Sequence, residues 1–183
     1  MALNPWKTVS IEKQYDNEWI EVSESKVITP NGKDGIYGVV HFKNYAIGIL
    51  PIDNEHNTWL VGQYRFPIKT FSWEIPEGGG DLKIEPLESA KRELLEETGI
   101  EAAKWTKIHE LHTSNSATDE FGILFLAQDL TFHDPHPDDT EKITVKKLPF
   151  NEAYEMAIHG EITDALSLIA IFKAKILIDE YKI

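Results

Sequence analysis

The chain has 183 residues, 42% of them apolar, which suffices for one domain with a buried core, alone or with a small appendage. Its formal net charge of −13 excludes the basic face that nonspecific DNA or RNA binding needs, and the absence of cysteine excludes disulfide frameworks, thiolate metal sites and cysteine nucleophiles. A reducing, cytoplasmic setting suits that composition. The start, Met1-Ala2-Leu3-Asn4-Pro5-Trp6-Lys7, has neither the charged n-region nor the apolar h-region of a secretory signal. No apolar run reaches the roughly 18 residues of a membrane span, so no membrane partner is expected.

Residues 8–50 read as β-rich. Trp19-Ile20-Glu21-Val22 alternates apolar with polar, and Thr29-Pro30-Asn31-Gly32 is the clearest hairpin turn. Further strands are predicted at 36–42, 46–52, 59–64 and 71–75. Three glycines, Gly78 to Gly80, then form a loop before a helix. Pro86 suits the first helical turn, Leu87, Ala90 and Leu94 recur at helical spacing, and Gly99 suits the C-terminal cap. Strands return at 104–111, 121–129 and 143–148. Helices fit 152–159 and 165–181, the second with Asp164 as N-cap. This order predicts an α/β fold, with helices on a mixed sheet. Residues 1–43 are expected to form a β-rich segment and 44–183 the main domain.

Glu93, Glu96 and Glu97 stand at i, i+3 and i+4 of the first helix and share one face. Glu93 and Glu97 repel each other by about 0.2–0.5 kcal/mol in an ordinary helix. Arg92 can reach Glu96 at i+4 but leaves that pair facing each other. A hard divalent cation resolves the conflict: Mg²⁺ takes one or two carboxylates, waters and substrate phosphate oxygens, and Mn²⁺ uses the same ligands. The plainer reading is a solvated acidic helix face. The three glycines admit two readings as well, a close backbone approach to a ligand or a tight turn.

The stretch from Gly78 to Ile100 resembles the Nudix box. Gly78 lies fourteen residues before Arg92, and Arg92-Glu93-Leu94-Leu95-Glu96-Glu97-Thr98-Gly99-Ile100 matches every core position. One position departs: Ile84 stands where the box has a glutamate, with Glu85 next door. The resemblance implies an α/β/α sandwich with a mixed β-sheet, in which the box forms loop–helix–loop. It implies Glu93 and Glu97 as main metal ligands and Glu96 as an accessory ligand with a catalytic part. It adds the Glu77 backbone carbonyl as a further ligand, and Gly78, Arg92 and Gly99 as structural residues. Two to three Mg²⁺ ions are expected per site, with Mn²⁺ able to substitute.

Gln63-Tyr64-Arg65 and Ser72-Trp73-Glu74-Ile75-Pro76 resemble the ADP-ribose pyrophosphatase branch, which includes relatives acting on other nucleotide sugars. There Arg65 is a candidate for substrate phosphates and Glu74 for substrate or metal. A surface ion pair and a solvent-facing carboxylate are their plainer readings. Trp19 and Tyr37 match aromatics that sandwich the base, one or both crossing from a partner subunit, which implies a homodimer. Glu141 aligns with a glutamate that acts as base or metal ligand, with Asp138 and Asp139 as fallbacks. A polar loop at 113–120 is a candidate sugar cover. The expected reaction is hydrolysis of the diphosphate of a nucleoside diphosphate sugar such as ADP-ribose. The alternatives are another Nudix branch, a non-catalytic nucleotide-binding module of the same fold, and a purely structural acidic domain.

Overall fold

The computed structural model describes residues 3–134, 142–180 and 183. Two compact units are built from the chain: residues up to Asn44 together with His112–Glu120, and Tyr45–Leu111 together with Phe121–Ile183.

The smaller unit is a three-stranded antiparallel sheet of β1 (Lys7–Asp16), β2 (Ile20–Ile28) and β3 (Asp34–Phe42), in that order. The predicted turn joins β2 to β3, with Gly32 at φ 81° and the Thr29 amide donating to the Lys33 carbonyl at 2.8 Å. Trp19 lies in the β1–β2 turn rather than in a strand. The Asn17 side-chain oxygen accepts the amides of both Trp19 and Ile20 at 2.8 Å, so the turn takes two donors that a ladder would have used. Residues 112–120 attach to the last strand: the Val40 amide donates to the Ala117 carbonyl at 2.9 Å and the Asp119 amide to the Val40 carbonyl at 3.3 Å.

The larger unit holds β4 (Asn44–Pro51), β5 (Asn57–Arg65), β6 (Thr70–Glu74), β7 (Glu77–Asp81), α1 (Pro86–Thr98), β8 (Ile100–His112), β9 (Phe121–Phe132), β10 (Thr144–Pro149), α2 (Phe150–Ile158) and α3 (Ala165–Asp179). The expected mixed sheet is β7-β4-β9-β8, in which β4 and β9 run parallel, and beside it stands an antiparallel sheet, β10-β5-β6. Strands β4 and β9 are covered on both faces. Ile47, Ile49, Ile123 and Phe125 point to the side where Ala90 and Leu94 of α1 pack. Leu50, Leu124 and Leu126 point to the side of α2 and α3, with Phe150, Ala170 and Ile171. Continuous apolar runs are what a strand buried on both faces requires. The helix–sheet–helix layering follows from them. Among the described residues no helix is long and apolar enough to cross a membrane.

The glycine stretch departs from expectation. Glu77–Asp81 is an edge strand, not a loop, and Gly78, Gly79 and Gly80 are not among the positive-φ glycines, so no tight turn requires them. The turn comes afterwards, where the Ile84 amide donates to the Asp81 carbonyl at 3.0 Å. The helix itself has the predicted bounds. Pro86 opens it, and Gly99 closes it at φ 69°, ψ 19°, its amide donating to the Leu95 carbonyl at 2.8 Å. Asp164 caps α3, accepting the Ser167 amide at 2.7 Å.

The turn from β4 to β5 is organised by one carboxylate. Asp53 accepts from the amides of Glu55 and Asn57 and from the Asn57 side chain at 2.8–3.2 Å, and pairs with Lys147 at 3.0 Å. Burial pushes its pKa up, but the Asn57, Lys147 and Glu55 bonds outweigh that and bring it down to about 2 from the ordinary 3.8. A folded-state pKa below the unfolded value contributes stability that is present above about pH 4 and lost as pH falls towards 2. Asp53→Ala is therefore expected to cost about 1–3 kcal/mol at pH 7 by urea unfolding. Its difference from wild type should shrink across that acid window, and a difference independent of pH would contradict the assignment.

Candidate active site

Helix α1 and strand β7 approach so closely that no side chain fits between them at Gly78. A Cβ built there would lie 2.3 Å from the Glu93 carboxyl carbon and 2.5 Å from both of its oxygens. The next residue back holds the other carboxylate: the Glu77 amide donates to Glu97 Oε2 at 3.0 Å. Glu93 and Glu97 are thus 9% and 3% exposed, so the helix face they share is buried rather than solvated. Glu96, at i+3, is half-exposed and turned to Arg92 at 2.6 Å. Arg92 also donates to Glu93 Oε1 at 2.5 Å and to the Gly79 carbonyl at 3.1 Å. One guanidinium thus ties two glutamates to the backbone of β7, and these carboxylates support its charge against burial, raising its pKa. The structure brings Glu77, Gly78, Arg92, Glu93 and Glu97 together. It leaves Glu96 at the rim.

A second cluster lies one strand away. Arg65, at the end of β5, donates through Nε to both oxygens of Glu74 at 3.0 Å, and through Nη2 to Glu74 Oε2 at 2.7 Å and Glu77 Oε1 at 2.8 Å. Glu74 is 3% exposed, so this is no solvent-facing carboxylate. Burial disfavours the Arg65 charge, but Glu74 and Glu77 more than offset it. The Glu77 side chain was not anticipated. Burial raises its carboxyl pKa most, Asp164 and Glu74 raise it further, and Arg65 pulls it down, leaving it well above the ordinary range. Its Oε2 is buried and makes no hydrogen bond as an acceptor; a proton there would turn it into a donor towards Asp164. The same end of α3 is joined to the strand link, since the Ile75 amide donates to Ser167 Oγ at 3.0 Å. The usable signal was composition: the chain has only two arginines, Arg65 and Arg92, and both serve carboxylates here.

Of the other residues singled out, Trp19 is 64% exposed, and Tyr37 on β3 is partly exposed with its hydroxyl donating to the Ser116 carbonyl at 2.7 Å. Ile84 is half-exposed in the turn before α1. His133 pairs with Glu101 at 2.9 Å. Glu141, with its fallbacks Asp138 and Asp139, lies outside the described residues.

The NUDIX domain matches residues 43–166, more than half of the chain. The chain belongs to the Nudix family. Residues 6–40 match the nucleoside diphosphate sugar hydrolase N-terminal domain. The ADP-ribose pyrophosphatase of Bacillus subtilis (strain 168) is 32% identical over 167 residues, covering 90% of this chain and 90% of its own. The ADP-ribose pyrophosphatase of Mycobacterium tuberculosis is 28% identical over 93% of this chain and 84% of its own, and the methanol dehydrogenase activator of Bacillus methanolicus 28% identical over 90% of each. The crystal structure of an ADP compounds hydrolase superposes with a TM-score of 0.87 over 100% of both chains at 20% identity, which shows the Nudix hydrolase fold.

Nudix hydrolases generally use divalent metal ions. Among the described residues no three His, Cys, Asp or Glu side chains cluster tightly enough to hold one unaided. Glu96 is paired with Arg92 at 2.6 Å. The site still fits a hard cation that needs only one or two carboxylates, the rest of its shell being water and substrate oxygen. Glu93 and Glu97 are adjacent hard donors, held beside the backbone of β7.

Two glycine substitutions separate the site from the scaffold. Gly78→Ala drives its methyl into the mobile end of Glu93, so turnover is expected to fall at least about 100-fold, ~2.7 kcal/mol of barrier, with little change in unfolding temperature. Gly80→Ala instead meets Ile47 Cγ1 at 2.8 Å inside the core, and is expected to cost about 1–3 kcal/mol of stability by overpacking. Kinetics and thermal unfolding on the two variants check this. Equal loss of turnover in both would contradict it.

Proposed function

We propose that this Nudix hydrolase cleaves the diphosphate of a nucleoside diphosphate sugar, with ADP-ribose giving AMP and ribose 5-phosphate. The observation that carries the reading is the buried Glu93–Glu97 pair against β7, in a chain whose residues 6–40 match the nucleoside diphosphate sugar hydrolase N-terminal domain. The ADP-ribose pyrophosphatase relatives support the choice of base and sugar.

Glu93, Glu97 and Glu96 with the Glu77 carbonyl would hold Mg²⁺, or Mn²⁺ in its place, two to three ions in all. Bound there, the metal neutralises charge on the diphosphate and acidifies water. Arg92 keeps Glu93 and Glu96 oriented. Arg65, held by Glu74 and Glu77, offers its remaining N–H groups to a phosphate oxygen. Water attacks phosphorus, the P–O bond to the bridging oxygen breaks, and Glu141 takes the water proton. A hydrolysis panel of ADP-ribose, GDP-mannose, nucleoside triphosphates and dinucleoside polyphosphates with Mg²⁺ tests the reading. ADP-ribose or another nucleotide sugar should be turned over best, and Glu97→Gln should lower kcat by orders of magnitude with the fold intact. Preference for a triphosphate would sink the substrate, and near-normal Glu97→Gln turnover would sink the metal site.

The N-terminal sheet supports a homodimer in which Trp19 and Tyr37 stack on the base. Val9, Ile11 and Tyr15 on β1 and Ile36 on β3 are all exposed, and a sheet this small has little core of its own. A symmetric contact covers such a surface twice over. Light scattering at micromolar concentration should therefore give twice the monomer mass of 20.9 kDa. Trp19→Ala should raise KM for ADP-ribose without changing that mass. A fully active monomer would overturn the assembly.

A further inference from the structure

Within the smaller unit, three side chains from separate parts of the sequence form one hydrogen-bonded line. Ser23 Oγ on β2 lies 3.0 Å from His41 Nε2 on β3, and His41 Nδ1 lies 2.8 Å from Asp119 Oδ2 in the 113–120 loop. The Asp119 carboxylate only accepts, which assigns the proton to Nδ1. In the neutral ring Nε2 then accepts from the Ser23 hydroxyl. The connectivity is that of a serine–histidine–aspartate triad. The geometry does not serve nucleophilic catalysis, because Ser23 is only 4% exposed and no substrate carbonyl or phosphorus could reach its oxygen.

What the line does is fasten a loop. The other Asp119 oxygen accepts the Phe42 amide at 2.9 Å. The Val40 amide reaches Ala117, and the Asp119 amide returns to Val40. The loop so fastened in turn fixes an aromatic ring: the Ser116 carbonyl accepts from the Tyr37 hydroxyl, and the ring of Trp6 packs edge-on against Tyr37 at 5.4 Å and 89°. Tyr37 is held from two sides and remains 36% exposed. An aromatic held in one rotamer binds a flat ligand without the entropy cost of being ordered by it.

We propose that Ser23, His41 and Asp119 are positioning residues that lock the 113–120 loop onto β3 and so preset Tyr37 for a nucleobase. The loop is then a determinant of base recognition rather than a cover for the sugar. The inference rests on the nucleotide-sugar reading for its ligand, while the lock itself does not. The loop's own end is closed by the Thr113 hydroxyl on Glu120, so the loop has internal order and needs only its attachment to β3.

Hydrogen exchange and kinetics on the full chain test the two halves separately. His41→Ala should speed exchange of the Val40, Phe42 and Asp119 amides at least tenfold. It should raise KM for ADP-ribose about fivefold or more with kcat within twofold, and weaken inhibition by AMP but not by ribose 5-phosphate. His41→Asn, whose amide falls where Nδ1 stood, should restore much of both. If His41→Ala does not fold, Asp119→Asn carries the same measurements. Unchanged exchange would overturn the lock. Faster exchange with unchanged KM and unchanged AMP inhibition would overturn the role in base recognition. A wild type with slow exchange at these amides but no turnover of any nucleotide sugar would sink the proposed function and Tyr37's role, and leave the lock standing.

Discussion

Helix α1 meets strand β7 through the end of the Glu93 side chain at Gly78. The Glu93 carboxyl occupies the space that any side chain at Gly78 would fill, and the neighbouring amide, that of Glu77, is spent on Glu97. Two like charges are thereby kept side by side and mostly out of water, an arrangement that an isolated helix resists. The rest of the larger unit can be read as the support for this contact. Ala90 and Leu94, on the adjoining flank of α1, pack with residues of β4 and β9, and those strands are held from behind by α2 and α3. Full burial of one such leucine contributes about 1.5–3 kcal/mol towards holding α1 in place.

Charge is distributed with a clear division of labour. Sixteen of the eighteen cationic residues are lysines, and those with resolved pairs mostly meet exposed carboxylates, as Lys91 meets Glu88 and Lys107 meets Glu110. Such pairs contribute little to stability. The two arginines stand where planar, multidentate donors are needed, Arg92 across Glu93 and Glu96 and Arg65 across Glu74 and Glu77. Lysine at either place would lose the fork that reaches two carboxylates at once.

Helix α1 was legible to the residue because its signals are local: Pro86 at one end, Gly99 at the other, and an apolar repeat between. The box core was legible for the same reason. The strand at Glu77–Asp81 was not. Glycines carry no side-chain preference for extended structure, and this strand exists because it pairs with β4 and admits α1. Trp19 was misread because an alternating pattern continued across a turn that the side chain of Asn17 creates. Arg65, Glu74 and Glu77 drew separate readings, or none, because their meeting depends on the β5–β6 pairing and on the position of β7, which no short window contains. The line from Ser23 through His41 to Asp119 spans 96 residues and has no local signature at all.

The placement of His112–Glu120 has an architectural consequence. The chain passes between its two units at three seams, after Asn44, after Leu111 and after Glu120, so the smaller unit is stitched in rather than appended. A cut after residue 43 would divide the smaller unit. It would strip the 112–120 excursion of β3, orphaning the Ala117 carbonyl and the Asp119 amide that Val40 satisfies. Grafting a foreign N-terminal segment onto this domain would therefore need the excursion to travel with it.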